Sequence, residues 1–163
     1  GEDGQLRLRL DAALTDACMR GQAEAVQALV SAGADARAVA EDGVTPLHTA
    51  CVTGHSVLVD VLCDAGAVKD ARDGEGFTPI YVAALAGHAG VVKRLLAKRA
   101  DAALSTRAGD TPLDVALTNG HSDVEMVLRG AVDSTTTRPR PAREASPDVS
   151  SLLAAVRRGD LAR

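Results

Sequence analysis

A spacing of 33 residues runs through this chain and limits its fold more than any other feature. Gly43, Gly76 and Gly109 keep it, and so do Thr45, Thr78 and Thr111. Pro46, Pro79 and Pro112 keep it, as do the pairs Gly54-His55, Gly87-His88 and Gly120-His121. Four independent positions holding one period mean that a local unit is copied along the chain. A period of roughly 20–50 residues marks units that stack on one another. A unit this short cannot bury its own apolar face, so it depends on its neighbours.

Each copy reads as helix, turn, helix and extended loop. Thr45 ahead of Pro46 marks a helix start, because the side-chain oxygen caps free amides and proline suits the first helical turn. Leu47, Ala50 and Cys51 follow at i, i+3 and i+4 and make one apolar stripe. Gly54 stops that helix as a left-handed C-terminal residue would. Val57 to Cys63 supply a second apolar run, closed by Gly66. Stretches such as Ala71-Arg72-Asp73-Gly74-Glu75-Gly76 read as turns between units. Hydrophobic residues make up 46 % of the chain but aromatics only 1 %. The core must then be built from Ala, Leu and Val, whose small side chains let short helices pack in thin layers. The fold class predicted is all-α, a solenoid of 33-residue units.

The units resemble a known family. Thr45-Pro46-Leu47-His48-Thr49-Ala50 matches the TPLHxA motif of the ankyrin repeat. Thr78-Pro79-Ile80-Tyr81-Val82-Ala83 and Thr111-Pro112-Leu113-Asp114-Val115-Ala116 are close variants. Ala32-Gly33-Ala34-Asp35, Ala65-Gly66-Ala67 and Arg99-Ala100-Asp101 are similar to the family's unit ending. The resemblance divides residues 1–131 into four repeats, at about 10–39, 40–72, 73–105 and 106–131. The first lacks the Thr-Pro start and keeps Leu14, Ala17, Gly21 and Gly33-Ala34-Asp35, which is how a terminal capping repeat looks. The fourth carries Glu125 and Arg129 where middle repeats have Val59 and Cys63. That pair sits at i, i+4 and is expected to form an ion pair on a face with no ordinary repeat stacked on it. Arg99 stands where the family has glycine, so that helix end is expected to be strained or reshaped.

Residues 132–145 are rich in Ser, Thr, Pro and Arg and read as a flexible linker. Ser146-Pro147-Asp148 then reads as a cap, a first-turn proline and an acid suited to the helix dipole. Val149, Leu152, Leu153 and Val156 give residues 146–163 the pattern of a short amphipathic helix. Leu152 to Gly159 resembles Leu14 to Gly21. The segment either opens a further ankyrin unit or caps the stack of its own or a neighbouring chain. Ser146-Pro147 also has the form of a proline-directed phosphorylation site. The chain begins at Gly1 without Met and ends at Arg163 within what reads as an element, as a fragment of a longer protein would.

Charge is uneven. Residues 1–133 carry 12 Lys and Arg against 19 Asp and Glu, a net of −7, while residues 134–163 carry 6 Arg against 3 acids, a net of +3. An acidic body argues against a binder of phosphate backbones. No apolar run is long enough to insert in a membrane, and no secretory signal is visible. Three cysteines without a CxxC pair suit a reducing, intracellular and cytoplasmic setting.

The remaining motifs carry no catalytic pattern. The four histidines all belong to the repeat pattern: His48 within the motif, and His55, His88 and His121 after glycine. The resemblance implies structural hydrogen bonds for them, and no carboxylate or cysteine partner shares the spacing of a catalytic or metal site. Cys18 and Cys51 are also 33 apart and read as small core residues, as does Cys63. Gly74-Glu75-Gly76 lacks the third glycine, the strand and the lysine of a phosphate loop. No catalytic residue, cofactor or metal is expected.

The resemblance implies a protein partner held in a concave face made by loop tips and first helices. Counting from each tip glycine gives Glu41, Asp42 and Val44, then Gly74, Glu75 and Phe77, then Arg107, Ala108 and Asp110. First-helix surfaces give Met19 and Arg20, Val52 and Thr53, Leu85 and Ala86, and Thr118 and Asn119. From these, Glu41, Asp42, Val44, Thr53, Glu75, Phe77, Tyr81, Arg107 and Asp110 are the candidate partner-binding residues. Phe77 reads either as an exposed hot spot or as packing near Val44. Tyr81 replaces the motif's histidine and reads either as a groove residue or as packing. Asp42, Asp73 and Glu75 bias the groove toward a basic segment, although charged tips are also ordinary solvated surface. The function expected is a non-catalytic scaffold or adaptor. The alternatives are self-assembly through residues 146–163 and the ankyrin region of a larger enzyme or regulator.

Overall fold

The computed structural model describes residues 2–135, with side chains through 131. These residues form eight helices: α1 (Glu2–Arg20), α2 (Ala23–Ser31), α3 (Pro46–Thr53), α4 (Ser56–Asp64), α5 (Pro79–Ala86), α6 (Ala89–Ala97), α7 (Pro112–Asn119) and α8 (Ser122–Thr135). The odd-numbered helices pack side by side as an inner row, the even-numbered ones as an outer row. Each inner helix also packs on the outer helix that follows it. The result is the expected two-layer solenoid.

The inner helices are only eight residues long from α3 onward, too short to persist without help from caps and packing. Thr45, Thr78 and Thr111 each accept the backbone amide three residues on. Two of the three caps are reciprocal. His48 Nδ1 accepts the Thr45 amide at 3.2 Å, and Asp114 Oδ2 accepts the Thr111 amide at 2.8 Å. Tyr81 has no acceptor that reaches back in this way, so α5 keeps half of the box. Pro79 through Ala84 are all buried, as Pro46 through Cys51 are in α3.

The core is a continuous sheet of small aliphatic groups between the two rows. Leu14, Leu47 and Ile80 share one register and are fully buried. Cys18, Cys51 and Ala84 share another, and Val26, Val59 and Val92 a third, all fully buried. Cys18 and Cys51 thus fill core positions, and burial pushes the Cys18 thiol up to about 12 and the Cys51 thiol well above its usual value. Protonated and enclosed, neither is a nucleophile at neutral pH.

Histidines tie neighbouring units together. His88 Nε2 donates to the Val52 carbonyl and His121 Nε2 to the Leu85 carbonyl, both at 3.1 Å. The His88 ring lies so close over Gly54 that a Cβ there would meet it at 2.8 Å. The Gly-His pair is therefore one device: the glycine of one unit makes room for the histidine of the next.

Two boundaries differ from the sequence reading. α1 begins at Glu2, well ahead of the expected start near residue 10. With no Thr-Pro pair to set its start, the helix runs on toward the N-terminus, where Glu2 and Asp3 favour its first turn. The extension is fastened to the first loop, because Asp11 Oδ1 accepts the Asp35 amide at 2.8 Å and Arg7 lies 3.4 Å from the Asp35 carboxylate. Asp70 does the same for the Asp101 amide two layers on, so α1 stands in for a preceding loop. α8 continues through Thr135, into the segment read as linker from 132. The proposed helix at 146–163 lies outside the described residues, as does the rest of the linker.

Two departures behave as the sequence suggests. Glu125 and Arg129 pair at 2.8 Å. Arg99 adopts φ 67°, beside φ 105° for Gly33 and 95° for Gly66 at the same register. The fold imposes the left-handed turn even where no glycine serves it. Arg99→Gly is expected to raise stability by about 1 kcal/mol, read as a higher urea midpoint with unchanged slope. An unchanged midpoint would mean that the arginine side chain recovers the strain.

Candidate functional site

Three loop tips precede α3, α5 and α7, and each is closed by the same backbone bond. The Ala40 amide donates to Val44, the Asp73 amide to Phe77 and the Thr106 amide to Asp110, at 2.9, 3.1 and 2.9 Å. Aspartates stiffen the first two tips. Asp42 Oδ1 accepts the Val44 amide, while Asp73 Oδ1 accepts those of Glu75 and Phe77. In the third, Thr106 Oγ1 takes the Asp110 amide.

The tips also bond to each other. The Gly74 amide donates to the Asp42 carbonyl at 2.7 Å, and Arg72 donates to the Ser105 carbonyl at 2.8 Å. His48 makes the deepest link. Because its Nδ1 accepts the Thr45 amide, its Nε2 carries the proton and donates to the Phe77 carbonyl at 2.9 Å. A buried side chain on α3 thus fixes the height of the next loop.

This geometry sorts the candidate residues. Glu41, Asp42, Glu75 and Arg107 are exposed at the tips. Val44 and Asp110 are half-buried within them. Phe77 is half-buried against the core, and its ring stacks on that of Tyr81 with centroids 4.8 Å apart. Tyr81 is 7 % exposed, so it supports Phe77 from below and offers a partner little area. Its phenol is pushed up by burial and then by the charges of Asp110 and Asp114. Thr53 is half-buried, and its hydroxyl donates to the Thr49 carbonyl of its own helix at 2.8 Å. Asp73, counted in the sequence among the groove's acids, spends its carboxylate on two amides of its turn.

The sequence places three further residues on this surface, outside the candidate set. Met19, Val52 and Leu85 stand 33 apart, near the ends of α1, α3 and α5, and are 54, 51 and 41 % exposed. Stacked helices lie about 10 Å apart, so these side chains form an apolar row about 20 Å long. The signal was the coincidence of apolar character with a first-helix surface position in three successive repeats.

Among the described residues no group of three or more His, Cys, Asp and Glu side chains is placed to hold a metal ion. No described helix is long and apolar enough to cross a membrane. Family models of ankyrin repeats match twice, one built on three copies over residues 7–73 and one on many copies over residues 68–116. No match to a curated protein is found. Period, caps, Gly-His couplings and both matches agree, and the chain belongs to the ankyrin repeat family.

Proposed function

We propose that this chain is a non-catalytic scaffold or adaptor that holds a protein segment across its inner helices and loop tips. Ankyrin repeats in general are protein-interaction modules, which gives the class. The observation that carries the reading is the apolar row of Met19, Val52 and Leu85, kept at one register on three inner helices yet left exposed. Folding gains nothing from such exposure, whereas an interface core does. Glu41, Asp42 and Glu75 stand exposed at the tips that precede α3 and α5, toward the other end of these helices, and favour a partner segment that carries Lys or Arg as well as apolar groups. Three free cysteines, two of them fully buried, fit work in a reducing compartment inside the cell.

The test is a pull-down from the source cell with the full chain, followed by titration of the recovered partner. Val52→Asp is expected to abolish retention of that partner while leaving the circular dichroism unchanged, since Val52 points outward. Glu41→Ala, Asp42→Ala and Glu75→Ala together should weaken it and flatten its salt dependence. A partner that binds all these variants as it binds the parent chain places the interface elsewhere.

A further inference from the structure

The last inner helix leaves an apolar edge that the others do not. Leu117 continues the column of Cys18, Cys51 and Ala84, all fully buried, yet it is 45 % exposed. Leu113 continues the column of Leu47 and Ile80, both fully buried, yet it is only half-buried. The outer half of the same end is finished differently. Glu125 takes the register of Val59 and Val92 and pairs with Arg129. A charged pair suits solvent; Leu113 and Leu117 do not. The end is therefore shaped for one more inner helix, without an outer helix behind it.

The chain contains a segment with that pattern. Leu152 to Gly159 spans the same seven residues as Leu14 to Gly21, Leu47 to Gly54 and Leu113 to Gly120. In this register Leu152 extends the Leu113 column and Val156 extends the Leu117 column. Ala155 falls in the column of Ala17, Ala50, Ala83 and Ala116, where each described inner helix carries alanine. Ser146-Pro147 takes the place of the Thr-Pro start. The stretch from Thr135 to Ser146 can span about 35 Å, several times the spacing of about 10 Å between stacked helices. Charge also favours the contact, with −7 on residues 1–133 and +3 on residues 134–163.

We propose that residues 146–160 supply a fifth inner helix that covers Leu113 and Leu117 of its own chain. Val156 and Leu152 meet these two leucines, Ala155 lets the backbones approach, and the Glu125–Arg129 pair stays at the solvent margin. The cover does not depend on any partner at the inner-helix face.

The test compares the full chain with a full-length Leu152→Asp/Val156→Asp variant, by hydrogen exchange of residues 112–131 and by mass from light scattering. Burying two large aliphatic groups protects a terminal element strongly, so exchange in α7 is expected to quicken about tenfold or more in the variant. Exchange in α3 and α4 should stay unchanged, with one chain per particle in both proteins. Equal exchange in α7 would overturn the proposal. So would a parent mass of two chains that falls to one in the variant, since the cover would then come from a second copy.

Discussion

His48→Ala is expected to cost about 3 kcal/mol, a large effect for one side chain in a stack this small. The ring is 2 % exposed and serves two elements at once. Its Nδ1 accepts the Thr45 amide and contacts the Thr45 hydroxyl at 2.9 Å, and its Nε2 donates to the Phe77 carbonyl. Truncation leaves the Thr45 amide without this partner, takes from the Phe77 carbonyl one of two donors (the Asp73 amide is the other), and opens a void under the second loop. Each unsatisfied buried group costs about 1–3 kcal/mol, which sets the scale. The measurement is urea unfolding of the full chain. Hydrogen exchange should also show the 73–77 tip loosening before the helices do. A change below about 0.5 kcal/mol, the range of ordinary surface substitutions, would mean that water replaces the ring at no cost.

Gly43→Ala is the second large effect and acts on the candidate site itself. Gly43 has φ 82°, and a Cβ there would lie 2.6 Å from the Gly74 nitrogen and 2.9 Å from Asp73 backbone atoms. The obstacle is backbone, so no side-chain rotation relieves it. The two tips must part, and the bond from the Gly74 amide to the Asp42 carbonyl goes with them. Left-handed strain alone costs about 1–2 kcal/mol, and the lost contact brings the expected total to about 2–3 kcal/mol. The variant should still fold, because the helices on either side are untouched. Exchange at the Gly74 and Gly76 amides should quicken. Wild-type exchange at these amides would show that the tips do not rely on one another. The same parting moves Glu41 and Asp42 relative to Glu75, so partner affinity should fall more than overall stability predicts.

The way the residues divide explains what could be read in advance. Thr-Pro starts, glycine stops and the 33-residue spacing act within one unit, so the sequence displays them directly. The Glu125–Arg129 pair and the left-handed Arg99 were legible for the same reason: each is a departure from a pattern that local geometry sets. The length of α1 was not. Its extension is held by Asp11 and Arg7 reaching Asp35, more than twenty residues away, and no local signal announces that contact. Phe77 and Tyr81 were legible as unusual residues but not as a stacked pair, because one belongs to a loop and the other to the helix behind it. Asp73 looked like groove charge until its carboxylate was seen closing its own turn.

The sequence by itself determined the unit, its helices and their apolar faces, since these follow from capping, chain stiffness and periodicity over a few residues. The tertiary structure decided what each layer does to the next. It set which side chains the stack leaves uncovered, Met19, Val52, Leu85 and Leu117 among them, and which polar groups it consumes, as with His48 and Asp73. Exposure belongs to neighbours about 10 Å away in space and 33 residues away in sequence, and only stacking brings them together.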